Sequence, residues 1–213
     1  MSALRTYPRF VTIEGGEGAG KTTVLRALRD ALAAGGDEVV CTREPGGTPL
    51  AELVRGLLLD PGHEPARPET ELLLMFAARA QHVHETILPA LARGAWVISD
   101  RFTDSSYAYQ GGGRGMDPAR IAALETAHVG IAPALTLLLD LGVQQGRERA
   151  RGRDAVPDRI ESEQDAFFER VRSAFLARAQ VEPQRIRVID ATRAADVVAE
   201  DAVRMLLALR EAA

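Results

Sequence analysis

The sequence predicts an α/β protein in three layers, a parallel sheet with helices on both faces. Two observations predict it. Short apolar runs alternate with helical patterns along the chain, as in successive βαβ units. The runs also end in charged residues, as strands do where their carboxyl ends border a ligand crevice. A chain of 213 residues is the size of one domain, and no repeat or linker divides it, so residues 1–213 are read as one domain.

The elements follow in order. Phe10–Glu14, FVTIE, reads as a buried strand. Leu25, Leu28 and Leu32 lie at helical spacing, and Gly35-Gly36 ends that helix. Glu38–Thr42 is a second strand. Leu50, Leu53, Val54, Leu57 and Leu58 form an i, i+3, i+4, i+7, i+8 stripe with Arg55 off it. A long helical segment runs over 69–93, with a break near Pro89. Trp96–Ser99 is a third strand. Asp117 caps a helix that opens on Pro118 and turns Ile121 and Leu124 inward. Leu135–Asp140 is a fourth strand, Phe168, Val171 and Phe175 mark a helix after Asp165, Ile186–Asp190 is a fifth strand, and a last helix covers 196–210.

Composition excludes several classes. Hydrophobic residues make up 46% and charged residues 26% of the chain, ordinary for a globular protein. No apolar run reaches the ~18 residues of a membrane span. The N-terminal MSALRTYPRF has no apolar core of signal-peptide length. A single cysteine, Cys41, cannot form an intrachain disulfide, which fits a reducing cytoplasm. A net charge of −4 argues against a bulk nucleic-acid binder. Any phosphate contact must come from local arrangement.

Such an arrangement stands after the first strand. GGEGAGKT, Gly15 to Thr22, matches G-x-x-x-x-G-K-[ST] between a strand and a helix, the context this motif requires. Gly15, Gly16, Gly18 and Gly20, with Glu17 and Ala19 between them, let backbone N–H groups turn inward around phosphate oxygens. The helix beginning at Lys21, Thr22 and Thr23 adds its positive end. Of the 26 basic residues, 25 are arginine, and the one lysine is Lys21. A compact ammonium on a flexible stem reaches β- and γ-phosphates where a planar guanidinium does not fit. Thr22 offers a hydroxyl to Mg²⁺. The fold class narrows to a P-loop NTPase-type three-layer α/β/α domain with a five-stranded parallel sheet.

An Asn-Lys-x-Asp guanine-reading loop is excluded, because the chain has no asparagine and its lysine is committed. Arginines clustered at strand ends exceed what one nucleotide needs. They suggest a second phosphorylated ligand, since phosphoryl transfer between two anions depends on positioning and charge neutralisation. A P-loop ATPase switch and a non-catalytic nucleotide-binding module are the alternatives from other classes.

Three further segments carry a resemblance. REPGGT (43–48), DRFTDSSYAYQGGGRG (100–115) and RERARGRDAVPDRIE (147–161), with the phosphate loop, resemble bacterial thymidylate kinase in order and spacing over almost the whole chain. The resemblance implies transfer of a phosphoryl group from ATP to dTMP with Mg²⁺, in a homodimer. A kinase for another nucleoside monophosphate is the alternative within the class. It puts acceptor-site segments at 43–55, 75–79 and 100–115, and a small helical lid over about 147–161. It places Asp100 near the metal and Arg101 and Arg55 on the acceptor's phosphate. Glu44, Pro45 and Glu17 fall near its sugar and phosphate, Glu17 alternatively at Mg²⁺. Arg79 is implied to hydrogen-bond a thymine carbonyl, Ser106 and Gln110 to hydrogen-bond the pyrimidine, and Ser105 to belong to the same dTMP site. Tyr109 would crowd C2′ of the sugar. The family's stacking phenylalanine lies one turn before Arg79; here Met75 stands at i−4 and Phe76 at i−3, and the choice stays open. The phosphate loop has no arginine, so the resemblance is to the style with a catalytic arginine in the lid, Arg151 or Arg153. It also sets Asp190-Ala191-Thr192 against adenine.

Overall fold

The computed structural model describes residues 4–151 and 158–212, Arg151 by its backbone alone. Five strands, β1 (Arg5–Gly15), β2 (Val39–Arg43), β3 (Trp96–Asp100), β4 (Ile131–Asp140) and β5 (Ile186–Asp190), form one parallel sheet in the order β2-β3-β1-β4-β5. The expected three-layer α/β/α architecture is present. Consecutive β1 and β2 are separated by β3, so the chain switches direction at β1. The crevice at that switch opens above the carboxyl ends of β1 and β3.

Alternation in β1 serves two cores. Val11 and Ile13 face a cluster with Val24, Leu28 and Leu32 of α1 (Lys21–Ala34) and Val198, Ala202 and Leu206 of α9 (Ala195–Ala212). Phe10 faces the other side, with Val97, Phe102 and residues of α3 (Pro68–His82). A third cluster joins Leu138 of β4 to Phe167, Phe168, Val171 and Phe175 of α8 (Asp165–Val181). Filling both sheet faces with apolar side chains is what an all-parallel sheet requires.

Local signals are realised. Gly36 takes φ 83°, and the Asp37 N–H donates to Leu32 O at 3.1 Å, closing α1 with a left-handed glycine. The Asp117 carboxylate accepts from Ala119 N at 2.8 Å and caps α6 (Pro118–His128).

One expectation changes, and two further features shape the site. Pro89 does not break the long helix: α3 passes through a π-helical turn, Val83–Ile87, into α4 (Leu88–Ala92). The wider turn absorbs the hydrogen bond that proline cannot donate. Gly111–Gly113 ends a second π-helical segment, Tyr107–Gly113, that follows the short α5 (Thr103–Ser106). A Cβ on Gly112 would lie 2.5 Å from Ala174 Cβ, so this glycine lets α8 pack directly against the segment. On the leucine stripe of α2 (Pro49–Leu59), Leu58 is buried, while Leu50, Leu53 and Leu57 are 53%, 69% and 53% exposed.

Candidate active site

The crevice at the switch point is a cleft of about 770 Å³. On one side it is lined by Glu17, Gly18, Ala19, Gly20, Lys21, Thr22 and Thr23 of the loop between β1 and α1. On the other stand Glu44, Pro45, Arg55, Met75, Arg79, Asp100, Arg101, Ser105, Ser106, Tyr109 and Gln110. Residues from five separated stretches thus share one wall. Gly15 and Gly16 sit below the loop and accept from Lys21 Nζ through their carbonyls at 3.3 and 2.9 Å. Gly18 and Gly20 have φ of 70° and 92°, which β-carbons disfavour. A Cβ on Gly18 would also stand 2.1 Å from Gly146 O, so α7 (Val143–Arg151) lies directly on the loop.

The Asp100-Arg101 corner is held by a buried carboxylate. Glu14, at the end of β1, is fully buried and accepts from Phe102 N at 2.8 Å, Ser105 N at 3.2 Å and Ser105 Oγ at 2.6 Å. Arg101 takes φ 72° and donates to Ser105 Oγ and Tyr109 Oη, both at 3.1 Å. Burial pushes Glu14 up to about 7, with Asp104 adding to the rise and Arg101 opposing it. Burial would lower the Arg101 guanidinium, but Tyr109, Asp100 and Glu14 together raise it above its ordinary value, so it stays a cation. Arg55 donates to Pro45 O at 2.9 Å; burial and the neighbouring Arg43 lower it. Asp100 Oδ1 is buried without a hydrogen-bond partner among the described residues.

Deeper in, Arg79 is buried and donates to Glu44 Oε2 at 2.6 Å, Ser106 Oγ at 3.0 Å and Phe102 O at 3.1 Å. The other Glu44 oxygen bonds His82 Nδ1 at 2.9 Å, and His82 Nε2 meets Thr42 Oγ1 at 2.7 Å. Both Glu44 oxygens are therefore committed to the protein. Glu44 thus supports Arg79 while itself lining the cleft. Ser105 is likewise committed between Glu14 and Arg101. Phe76 does not line the cleft: it is in the core beneath Arg79, 4.7 Å from ring centroid to guanidinium, and Met75 alone of the pair reaches the cleft wall.

In the expected lid, Arg147 pairs with Asp165, donates to Glu163 O at 2.9 Å and stacks 5.2 Å over Phe168. Arg149 lines the cleft and donates to Ala191 O at 2.9 Å, joining the lid to the loop after β5. Arg159 donates to Glu71 Oε2 at 2.7 Å. Arg153 and the Arg151 side chain lie outside the described residues.

The sequence reading missed Glu71, His82 and the support role of Glu14. A signal for the first two exists: Glu71, Arg79 and His82 recur at i, i+8 and i+11 on the buried face of α3, polar residues where leucine would be expected.

The family model described as thymidylate kinase matches residues 13–202. The chain belongs to the thymidylate kinase family. The thymidylate kinase of Chromohalobacter salexigens is 57% identical over 195 residues, covering 91% of this chain and 92% of that protein. That of Pseudomonas fluorescens is 60% identical over 185 residues, 86% and 88% of the two chains. The crystal structure of thymidylate kinase from Ehrlichia chaffeensis superposes with TM-score 0.75 at 33% identity, covering 95% of this chain and 99% of that one. Thymidylate kinase membership makes the chain a nucleoside monophosphate kinase in class.

Proposed function

We propose that the chain transfers the γ-phosphoryl group of ATP to dTMP, giving dTDP and ADP. One observation carries the reading: a single cleft joins a phosphate loop to two guanidinium groups and a buried polar wall suited to a pyrimidine. An oxygen of the dTMP phosphate attacks Pγ in line as the bond from Pγ to the ADP oxygen breaks, so no group on the protein becomes phosphorylated. Lys21 Nζ, held at the mouth of the loop, meets the β- and γ-phosphates. Arg101 and Arg55 hold the acceptor phosphate bidentately or singly, and their fixed positions remove the repulsion between two anions.

The base-facing groups match an imide. Ser106 Oγ accepts from Arg79, which leaves its O–H to donate. Arg79 uses three of five N–H groups on the protein and keeps two. Donors from Ser106 and Arg79 suit a ring carbonyl, and the Gln110 amide suits N3–H. Met75 lies against the ring, and Tyr109 against C2′. The residues also fit Mg²⁺, because Asp100 Oδ1 is a buried acceptor with no hydrogen-bond partner among the described residues and Thr22 lines the same cleft with its hydroxyl. Those two would hold the ion, which when bound neutralises charge on the β- and γ-oxygens. Arg151 or Arg153 would complete the charge neutralisation from the lid.

The reading extends to a cytoplasmic homodimer. The exposed Leu50, Leu53 and Leu57, with Leu73 of α3, offer an apolar face for a second copy. Measuring ADP release with Mg·ATP alone, then with dTMP, dUMP, CMP, UMP, AMP and GMP separately, tests the activity. Strong stimulation by dTMP is expected; equal turnover without an acceptor would indicate an ATPase switch instead.

A further inference from the structure

Glu71 is outside the cleft wall, 1% exposed, and on no route to a phosphate. Three side chains nevertheless converge on it. Its Oε1 accepts from Gln110 Nε2 at 2.9 Å, and its Oε2 from Arg159 Nη2 at 2.7 Å and Arg114 Nη2 at 3.1 Å. Burial would raise its pKa, but hydrogen bonds from Arg159 and Gln110 and the charge of Arg114 hold it below the ordinary carboxylate range. It is therefore ionised at neutral pH, and an ionised carboxylate can only accept.

That restriction fixes the Gln110 amide. The –NH₂ must turn toward Glu71. The amide oxygen accepts no hydrogen bond among the described residues, while Gln110 itself lines the cleft. We infer that Glu71 is a positioning residue for pyrimidine choice: it locks Gln110 with its oxygen toward the base, so the cleft takes a ring that donates from N3 and rejects one that accepts there. Thymine and uracil donate from N3. Cytosine presents a lone pair at that atom, and two buried acceptors would face each other. The inference rests on the proposed dTMP kinase reading and adds the origin of its discrimination against cytosine. A mismatch of this kind lowers kcat/KM by about ten- to a hundredfold.

Glu71→Gln tests the lock because the outcome has a direction. Arg114 and Arg159 still require an acceptor, so the new amide turns its oxygen to them and its –NH₂ to Gln110. Gln110 then turns over and offers –NH₂ to the base. The ratio of kcat/KM for dTMP to that for dCMP should fall by about tenfold or more, with dCMP turnover rising and kcat at saturating dTMP little changed. The double swap Glu71→Gln/Gln110→Glu places an acceptor at the base whichever way that side chain turns, and should return the ratio toward wild type. Loss of packing alone would not move the ratio in one direction and restore it in the swap. A folded Glu71→Gln with an unchanged ratio, or a swap that does not recover it, overturns the inference. If Glu71→Gln fails to fold, Glu71→Asp keeps the charge facing both arginines and withdraws the acceptor from Gln110; an unchanged ratio there also overturns it. Wild-type protein with no dTMP-dependent turnover would instead overturn the functional reading beneath it.

Discussion

Glu14→Gln should change how stability depends on pH, and the size of the change can be worked out. The Glu14 carboxyl has a pKa near 4.5 in an unfolded chain and about 7 in the fold. Between those values the unfolded chain has released its proton and the folded chain keeps it. Folding then takes up a proton, and stability falls as pH rises through this window, levelling off above the folded value. The full difference of roughly two to three pH units is worth about 3 kcal/mol, nearly all of it falling between about pH 5 and about pH 8. Glutamine does not titrate. The substitution also alters the bonds to Phe102 and Ser105, but that cost is nearly constant with pH and cancels in the comparison. Urea unfolding of both proteins at the two pH values, at equal m, gives the result. Relative to wild type, the variant should gain about 2 to 3 kcal/mol on going from the lower pH to the higher. A difference independent of pH, or one of opposite sign, would refute the claim that burial dominates this carboxyl.

Three further outcomes are expected. Lys21→Ala should reduce kcat by about a thousandfold or more while the unfolding midpoint stays near wild type, because the lost ammonium acts on transferring charge; near-normal turnover would remove Lys21 from the phosphates. Tyr109→Ala should narrow the preference for dTMP over its ribose counterpart, read as the ratio of their kcat/KM values; an unchanged ratio would take Tyr109 away from the sugar. Leu53→Glu, at a position 69% exposed, should leave the monomer's fold intact and lower the mass seen by light scattering from two chains to one; an unaltered mass would place any self-association elsewhere.

Much of this molecule was readable before its structure. The P-loop carries its meaning in contiguous residues, because one backbone turn and one helix end make the whole phosphate cradle. The strands were legible because sheets buried on both faces need continuous apolar runs. β1 and β4 begin earlier than expected, at Arg5 and Ile131, since backbone pairing continues where β1 becomes polar and β4 passes through Ala132-Pro133-Ala134, away from any continuous apolar run. The carboxylates were harder. Glu14 and Glu44 stand at strand ends where charge suggests contact with ligand, and each also supports an arginine, Glu44 directly and Glu14 through Ser105. Spacing cannot separate these roles, because both put the residue at the same cleft. The outward turn of Leu50, Leu53 and Leu57 was equally hidden: an apolar stripe has the same period against a core or a second chain. Glu71 was visible only as a polar residue on a buried helical face, and its partners Gln110, Arg114 and Arg159 lie 39, 43 and 88 positions away.

The central claim is that two nucleotides occupy this cleft together, phosphate to phosphate. Calorimetric titration of dTMP into protein already saturated with Mg·ADP tests it directly. One molecule of dTMP should bind per chain with affinity no weaker than in the absence of ADP. Displacement of one nucleotide by the other would contradict the account.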